Sequence, residues 1–230
     1  MPEKRRILIT GCGRSGTRYI VALLAKHGLD VRHEKIGADG VVSWCMTVES
    51  NEAPWGSSRC GYEFEHIFHQ VRHPLKTIPS ITTFKETSWR YIEQWCHCSP
   101  SDPLMLKAAK YWLHWNERAE EIADWRYRIE DFHDVYPEFC ERIGIKPDQS
   151  ILNSYAKNIN TRDYGKLLHI YDELCMKMGI YPKKCVRQFL SGRKAMRQST
   201  PEFTWDQLRD VDPLICDRIH MKTDEYGYCF

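Results

Sequence analysis

The residues with the clearest chemical purpose stand near the N-terminus. Gly11-Cys12-Gly13-Arg14-Ser15-Gly16-Thr17 follows the apolar run Ile7-Leu8-Ile9 and precedes the apolar periodic stretch Ile20 to Leu24. A strand, a glycine-rich turn and a helix start in that order gather unpaired N–H groups and a helix dipole at one point, which makes an anion site. Gly11 and Gly16 fit the outer glycines of G-x-x-x-x-G-K-[ST], the loop whose lysine meets terminal phosphates and whose hydroxyl holds magnesium. Here Thr17 stands at the lysine position and Arg18 at the hydroxyl position. Such a site also wants a carboxylate ending a neighbouring strand, where this chain offers Arg72. The loop is suited to phosphate and lacks the magnesium machinery.

At these residues the sequence resembles the sulfotransferases that use 3′-phosphoadenosine-5′-phosphosulfate (PAPS). Their 5′-phosphosulfate loop often reads arginine or lysine, then Ser-Gly-Thr, as Arg14-Ser15-Gly16-Thr17 does. Their second signature is an arginine ending a later strand with a serine eight residues on, and Arg72 and Ser80 stand at that spacing. Arg128-Ile129-Glu130-Asp131-Phe132 and the closing Asp224-Glu225-Tyr226-Gly227-Tyr228 are similar to further family segments. The resemblance implies an α/β fold, a central parallel sheet flanked by helices in a P-loop-like three-layer architecture. It also implies transfer of a sulfuryl group to an acceptor hydroxyl, leaving adenosine 3′,5′-bisphosphate (PAP).

A donor with phosphates at both ends of an adenosine needs two separate anion clamps. The backbone of residues 13–17, from Gly13 through Gly16 with the hydroxyls of Ser15 and Thr17 and with Arg18 beside them, suits the 5′ end. The resemblance places Arg72, with Ser80, at the 3′ end, where a planar guanidinium binds two oxygens at once. Arg162 lies where the family often returns residues to the 3′-phosphate; a solvated loop arginine is the equal alternative. Arg14 is the expected electrophile for charge growing on the departing phosphate, and its permanent charge bars it from donating a proton.

The acceptor hydroxyl needs a base. The resemblance places a glutamate just after the first helix, at Val31-Arg32-His33-Glu34, and so favours Glu34. A free glutamate has a pKa of about 4.3 and histidine about 6.5, so basicity alone favours His33. An extended chain puts the two on opposite faces, with one facing the site.

The elements that must position these groups follow from periodicity. Residues 5–10 read as a buried strand and 15–26 as a helix closed by His27-Gly28. Short strands are expected at 30–34 and 41–44, and another at 66–72, ended by His73-Pro74. A helix through Leu75, Ile78 and Ile81 carries Pro79, expected to kink it and displace Ser80. A long helix is predicted over 102–125, a strand at 127–129 and a helix at 135–143, with a last helix over 213–226 after a capped turn at Thr204. Residues 1–230 read as one domain in which 148–200 are an irregular lid or insertion with one helix near 167–178.

Composition narrows the partners. A net charge of +2, from 33 basic and 31 acidic residues, gives no global reason to bind nucleic acid or a membrane surface. No apolar stretch approaches the ~20 residues of a membrane span, and the early first strand leaves no room for a signal peptide, so a cytoplasmic protein is expected. The ten scattered cysteines read as reduced, mostly buried thiols. Cys96-His97-Cys98 lacks a second pair to complete a zinc set, so no metal is expected. A sugar or small hydroxylated metabolite is the expected acceptor. Trp112, Trp115 and Trp125 read as core, Trp44 and Trp55 as pocket walls, and His66, His69, His73 and His97 as structural hydrogen-bonders. The competing functions are a nucleotide kinase or triphosphatase with a degenerate loop, and a non-catalytic nucleotide-binding module.

Overall fold

The computed structural model describes residues 2–51, 58–99, 101–155 and 203–228. Strands β1 (Glu3–Thr10), β2 (Val31–His33), β3 (Gly40–Val42), β4 (Tyr62–Val71) and β5 (Trp125–Arg128) form a sheet of order β2-β3-β1-β4-β5. Every neighbouring pair is parallel. Parallel pairing requires crossovers, which return through helices and cover both faces.

Ile7, Leu8 and Ile9 are each 0% exposed, as a central strand covered on both faces requires. Alternation sorts them. Ile7 and Ile9 pack with Phe68 and with residues of helices α1 (Thr17–Lys26) and α5 (Phe132–Arg142), while Leu8 packs with Val41 and Met46 on the opposite face. That opposite layer holds α2 (Pro74–Ile81), α3 (Glu86–Glu93), α4 (Leu104–Ile122), α7 (Trp205–Val211) and α8 (Pro213–Glu225), which share one aromatic-rich core. At about 1.5–3 kcal/mol per fully buried large side chain, the C-terminal half of β1 is firmly anchored, so the loop after it starts from a fixed base.

The expected strands and most helices stand within a few residues of their predicted ends. Helix α1 starts at Thr17 and gives way through His27 to Gly28 at φ 80°. The predicted capped turn is a full capping box, with the Thr204 hydroxyl and Gln207 bonding each other's backbone N–H. Two readings need correction, and one helix stands where none was read. Helix α3 occupies a stretch the sequence left unassigned; its aromatic pair Trp89 and Tyr91 is buried. Helix α6 (Gln149–Tyr155) takes the start of the stretch expected to be irregular. Trp44 is only 5% exposed and stacks on Phe84, with Tyr91, Tyr111 and Trp115 around it, so it is core rather than pocket wall.

Trp112 and Trp115 are buried as expected, while Trp125 is half-buried against Phe68 and Phe139. His69 bonds Asn116, and His73 caps α2 by accepting from Leu75 N–H. Trp55, Arg162 and most of the expected lid lie outside the described residues. The seven described cysteines carry free thiols, most of them buried. Among the described residues, no group of three His, Cys, Asp or Glu side chains is placed to hold a metal ion, and no helix is long and apolar enough to cross a membrane.

Candidate active site

The glycine-rich loop leaves β1 at its carboxyl end, between β3 and β4, where parallel sheets change direction and bind ligands. Its shape is set by close packing. A Cβ on Gly11 would lie 2.4 Å from the Gln70 carbonyl oxygen, and one on Gly13 would lie 2.7 Å from the Phe84 ring. Gly16 is the N-cap of α1 at φ 93°. It offers no side-chain cap, and the first turn carries no acidic residue. The Tyr19 N–H donates to the Gly16 carbonyl at 2.9 Å, while the Thr17 and Arg18 amides that open the helix have neither an intrahelical acceptor nor a first-turn carboxylate, which is the condition for holding an external anion.

Buried polar groups brace the loop from below. Tyr127 Oη donates to Gln70 Oε1 at 2.7 Å, and Gln70 Nε2 donates to the Ser15 carbonyl at 2.5 Å. The Gly13 N–H donates to Tyr111 Oη at 2.9 Å. This narrows the expected cradle, because the Gly13 amide is already engaged and the anion falls to the amides that follow it. Ser15 Oγ is buried and has no hydrogen-bond partner among the described residues. A buried hydroxyl in that state is destabilising unless a ligand oxygen meets it, so the loop fits a phosphate group.

Arg14 sits at φ 74°. Its guanidinium donates to Thr83 Oγ1 at 2.8 Å and lies over the Phe84 ring, 4.9 Å from the centroid. Thr83 Oγ1 in turn donates to the Ser80 carbonyl at 2.7 Å. Arg72 Nη1 donates to the Arg14 carbonyl at 3.0 Å, and the Arg72 carbonyl accepts from Trp112 Nε1. Arg14, Arg72 and the end of α2 are thus brought together. Ser80 itself lies half-buried in α2, which contains Pro79 and ends at Ile81. Sequence reasoning missed Thr83, Phe84, Gln70 and Tyr111, since nothing in their local pattern marks them as neighbours of the loop.

The two candidate bases do not stand on opposite faces. Strand β2 ends at His33, and Glu34 turns to φ 59°. The left-handed residue breaks the strand alternation, and His33 Nε2 comes to 3.7 Å from Glu34 Oε1. His33 Nε2 also lies 3.0 Å from Thr17 Oγ1, so the Thr17 hydroxyl expected to face the donor is hydrogen-bonded to that ring. Glu34 is 7% exposed. Ser43 Oγ donates to its Oε2 at 2.5 Å. Burial raises its pKa from the ordinary 4.5 to about 7, against the opposing pull of the Ser43 hydroxyl, the Trp44 N–H, Cys45 and the Arg18 charge. That value removes the basicity objection to the carboxylate. Ser43 was not foreseen as its partner.

The two distant similar segments also meet. Arg128 donates to the Gly227 carbonyl and pairs with Asp131. Tyr228 Oη donates to Glu130 Oε2 at 2.8 Å, while Glu130 Oε1 accepts from the His73 N–H beside Arg72. Beyond Arg14, a groove of about 500 Å³ opens between Phe84, Trp89 and Leu104, flanked by the Glu86–Arg90 and Glu93–Lys107 ion pairs.

No protein-family model matches the chain, and no curated protein matches it. A comparison with solved structures aligns the chain with sulfotransferases. Mouse sulfotransferase SULT7A1 complexed with PAP aligns with a TM-score of 0.48 at 13% identity, over 97% of this chain and 90% of that one. The sulfotransferase domain from the curacin biosynthetic pathway gives a TM-score of 0.45 at 11% identity, over 100% of both chains. The sulfotransferase domain of the Synechococcus PCC 7002 olefin synthase gives 0.42 at 12% identity, over 93% and 94%. With every TM-score below 0.5, this likeness assigns no activity to the chain.

Proposed function

We propose that the chain is a PAPS-dependent sulfotransferase acting on the hydroxyl of a sugar or another small hydroxylated compound. One observation carries the reading. Among the described residues, the only non-glycine residues at left-handed φ are Arg14 and Glu34, the two side chains this chemistry asks for. Left-handed backbone costs roughly 1–2 kcal/mol for such residues, and strain of this kind gathers at functional sites.

PAPS, when bound, supplies the sulfuryl group. The Thr17 and Arg18 amides and the Ser15 hydroxyl hold its 5′ end, and Arg72, with Ser80, serves its 3′-phosphate. Glu34 takes the proton of the acceptor hydroxyl as the new oxygen–sulfur bond forms. With a pKa near neutrality it is strong enough as a base and still ionised in part at working pH. Arg14 is fixed at its guanidinium by Thr83 and Phe84, so it stabilises charge on the departing phosphate without first reorganising. The groove lined by Phe84, Trp89 and Leu104 has room for a small acceptor.

Thermal-shift titration with PAP, and separately with ATP and magnesium, tests the donor, since a ligand that binds only the folded state raises apparent stability. PAP is expected to stabilise the protein. Stabilisation by ATP and magnesium alone sinks the reading. Glu34→Gln is expected to retain PAP binding and lose turnover; normal activity there, with loss in His33→Ala, reverses the base assignment.

A further inference from the structure

We propose that Tyr228 is a positioning residue for the 3′-phosphate clamp, acting through Glu130 on the peptide bond from which Arg72 projects. The proposal rests on the sulfotransferase reading. Its basis is one carboxylate shared between two parts of the fold that are distant in sequence. Glu130 Oε2 accepts from Tyr228 Oη at 2.8 Å, and Glu130 Oε1 accepts from the His73 N–H at 3.1 Å. Glu130 is itself exposed, so these donors set where its carboxylate stands.

The His73 N–H belongs to the peptide that joins Arg72 to His73. The carbonyl of that same peptide accepts from Trp112 Nε1 at 3.3 Å. Both polar ends of one planar unit are therefore held, one by α4 and the other by Glu130. Arg72 stands one residue past the end of β4, so these two bonds take over where the strand stops. Fixing the peptide plane fixes the direction in which the Arg72 side chain leaves, and the bond from Nη1 to the Arg14 carbonyl holds its tip.

The turn after α8 is shaped to deliver Tyr228. Gly227 takes φ 76°, its N–H donates to the Asp224 carbonyl at 2.8 Å, and the Tyr228 N–H returns to the Thr223 carbonyl at 3.2 Å. The Tyr228 ring is buried, with the Arg128 guanidinium 5.1 Å from its centroid and the His73 ring nearly perpendicular to it at 5.1 Å. Burial and the Glu130 charge push the phenol far up, so its hydroxyl remains a donor across the neutral range.

Titration calorimetry of the full chain with PAP, and separately with adenosine 5′-monophosphate, which lacks the 3′-phosphate, tells the two clamps apart. Tyr228→Phe keeps the ring and removes only the hydroxyl. It is expected to lower PAP affinity about 3- to 10-fold and to leave that for adenosine 5′-monophosphate within about twofold. In an Arg72→Ala background the same change is expected to cost PAP nothing further, because the group it positions is gone. Glu130→Ala is expected to give the same selective loss, which decides the matter should Tyr228→Phe fold poorly. Unchanged PAP affinity in Tyr228→Phe, equal losses for the two nucleotides, or an undiminished loss in the Arg72→Ala background overturns the positioning role while leaving the donor site standing. Wild type that binds PAP no more tightly than adenosine 5′-monophosphate overturns the 3′ clamp and the proposal with it.

Discussion

Arg72 Nη1 donates to the carbonyl oxygen of Arg14 at 3.0 Å, tying the end of β4 to the crest of the glycine-rich loop. The left-handed turn at Arg14 is what presents that carbonyl. A hydrogen bond to a charged donor is worth about 1.5–3 kcal/mol, so Arg72→Ala is expected to weaken PAP binding about 10- to 100-fold. Arg72→Lys should recover less than half of that loss in free energy, because an ammonium lacks the planar fork that serves the carbonyl and a phosphate together. Calorimetric affinities equal for Arg72→Lys and wild type would contradict this arrangement.

Glu34 sets a stability cost that grows with pH. Its folded pKa is raised to about 7 from 4.5, so between those values the unfolded chain has released a proton that the folded chain keeps. Stability from this group is full below pH 4.5 and is lost as pH rises through about 7. Glu34→Gln should therefore raise the melting temperature at pH 8, by an amount reflecting up to about 3 kcal/mol, and the gain should shrink toward pH 5. A pH-independent difference between the two proteins would refute the raised pKa.

His69 acts with the opposite sign. It is fully buried, and burial lowers its pKa from 6.5 to about 4. Its contribution is present above pH 6.5 and is lost as pH falls through about 4. Denaturant titrations from pH 7 to pH 4 should show a decline in unfolding free energy that His69→Gln flattens, by about 2–3 kcal/mol at the acid end.

The loop glycines should fail in different ways. Gly11→Ala drives its Cβ against backbone, the Gln70 carbonyl, whereas Gly13→Ala meets the Phe84 side chain. Adding Phe84→Ala is therefore expected to rescue part of the stability lost in Gly13→Ala, with a coupling energy of about 1 kcal/mol or more, and to rescue none of that lost in Gly11→Ala. Unfolding free energies of the single and double variants decide it.

Gln70→Leu tests the brace beneath the loop. It leaves the Ser15 carbonyl and the Tyr127 hydroxyl buried without their partner, at a cost of about 1–3 kcal/mol for each. PAP affinity should fall with stability, and Gln70→Glu should not restore it, since a carboxylate cannot donate to a carbonyl. A Gln70→Leu protein as stable as wild type would show that the network does not hold the loop.

The sequence by itself determined the strand–loop–helix unit, the parallel sheet, the missing triphosphatase side chains and the residues worth watching at 14, 34 and 72. Those features are local: apolar runs, glycine spacing and caps act over a few residues. It could not decide whether His33 or Glu34 faces the site, because one left-handed φ at Glu34 overturns the alternation that a strand implies. Nor could it find Ser43 under Glu34, Gln70 under Ser15, or Tyr111 against Gly13. Partners up to 98 residues apart meet only when β4 and α4 pack around the end of β1. Glu34 likewise acquires its raised pKa only from burial, and burial belongs to the assembled fold.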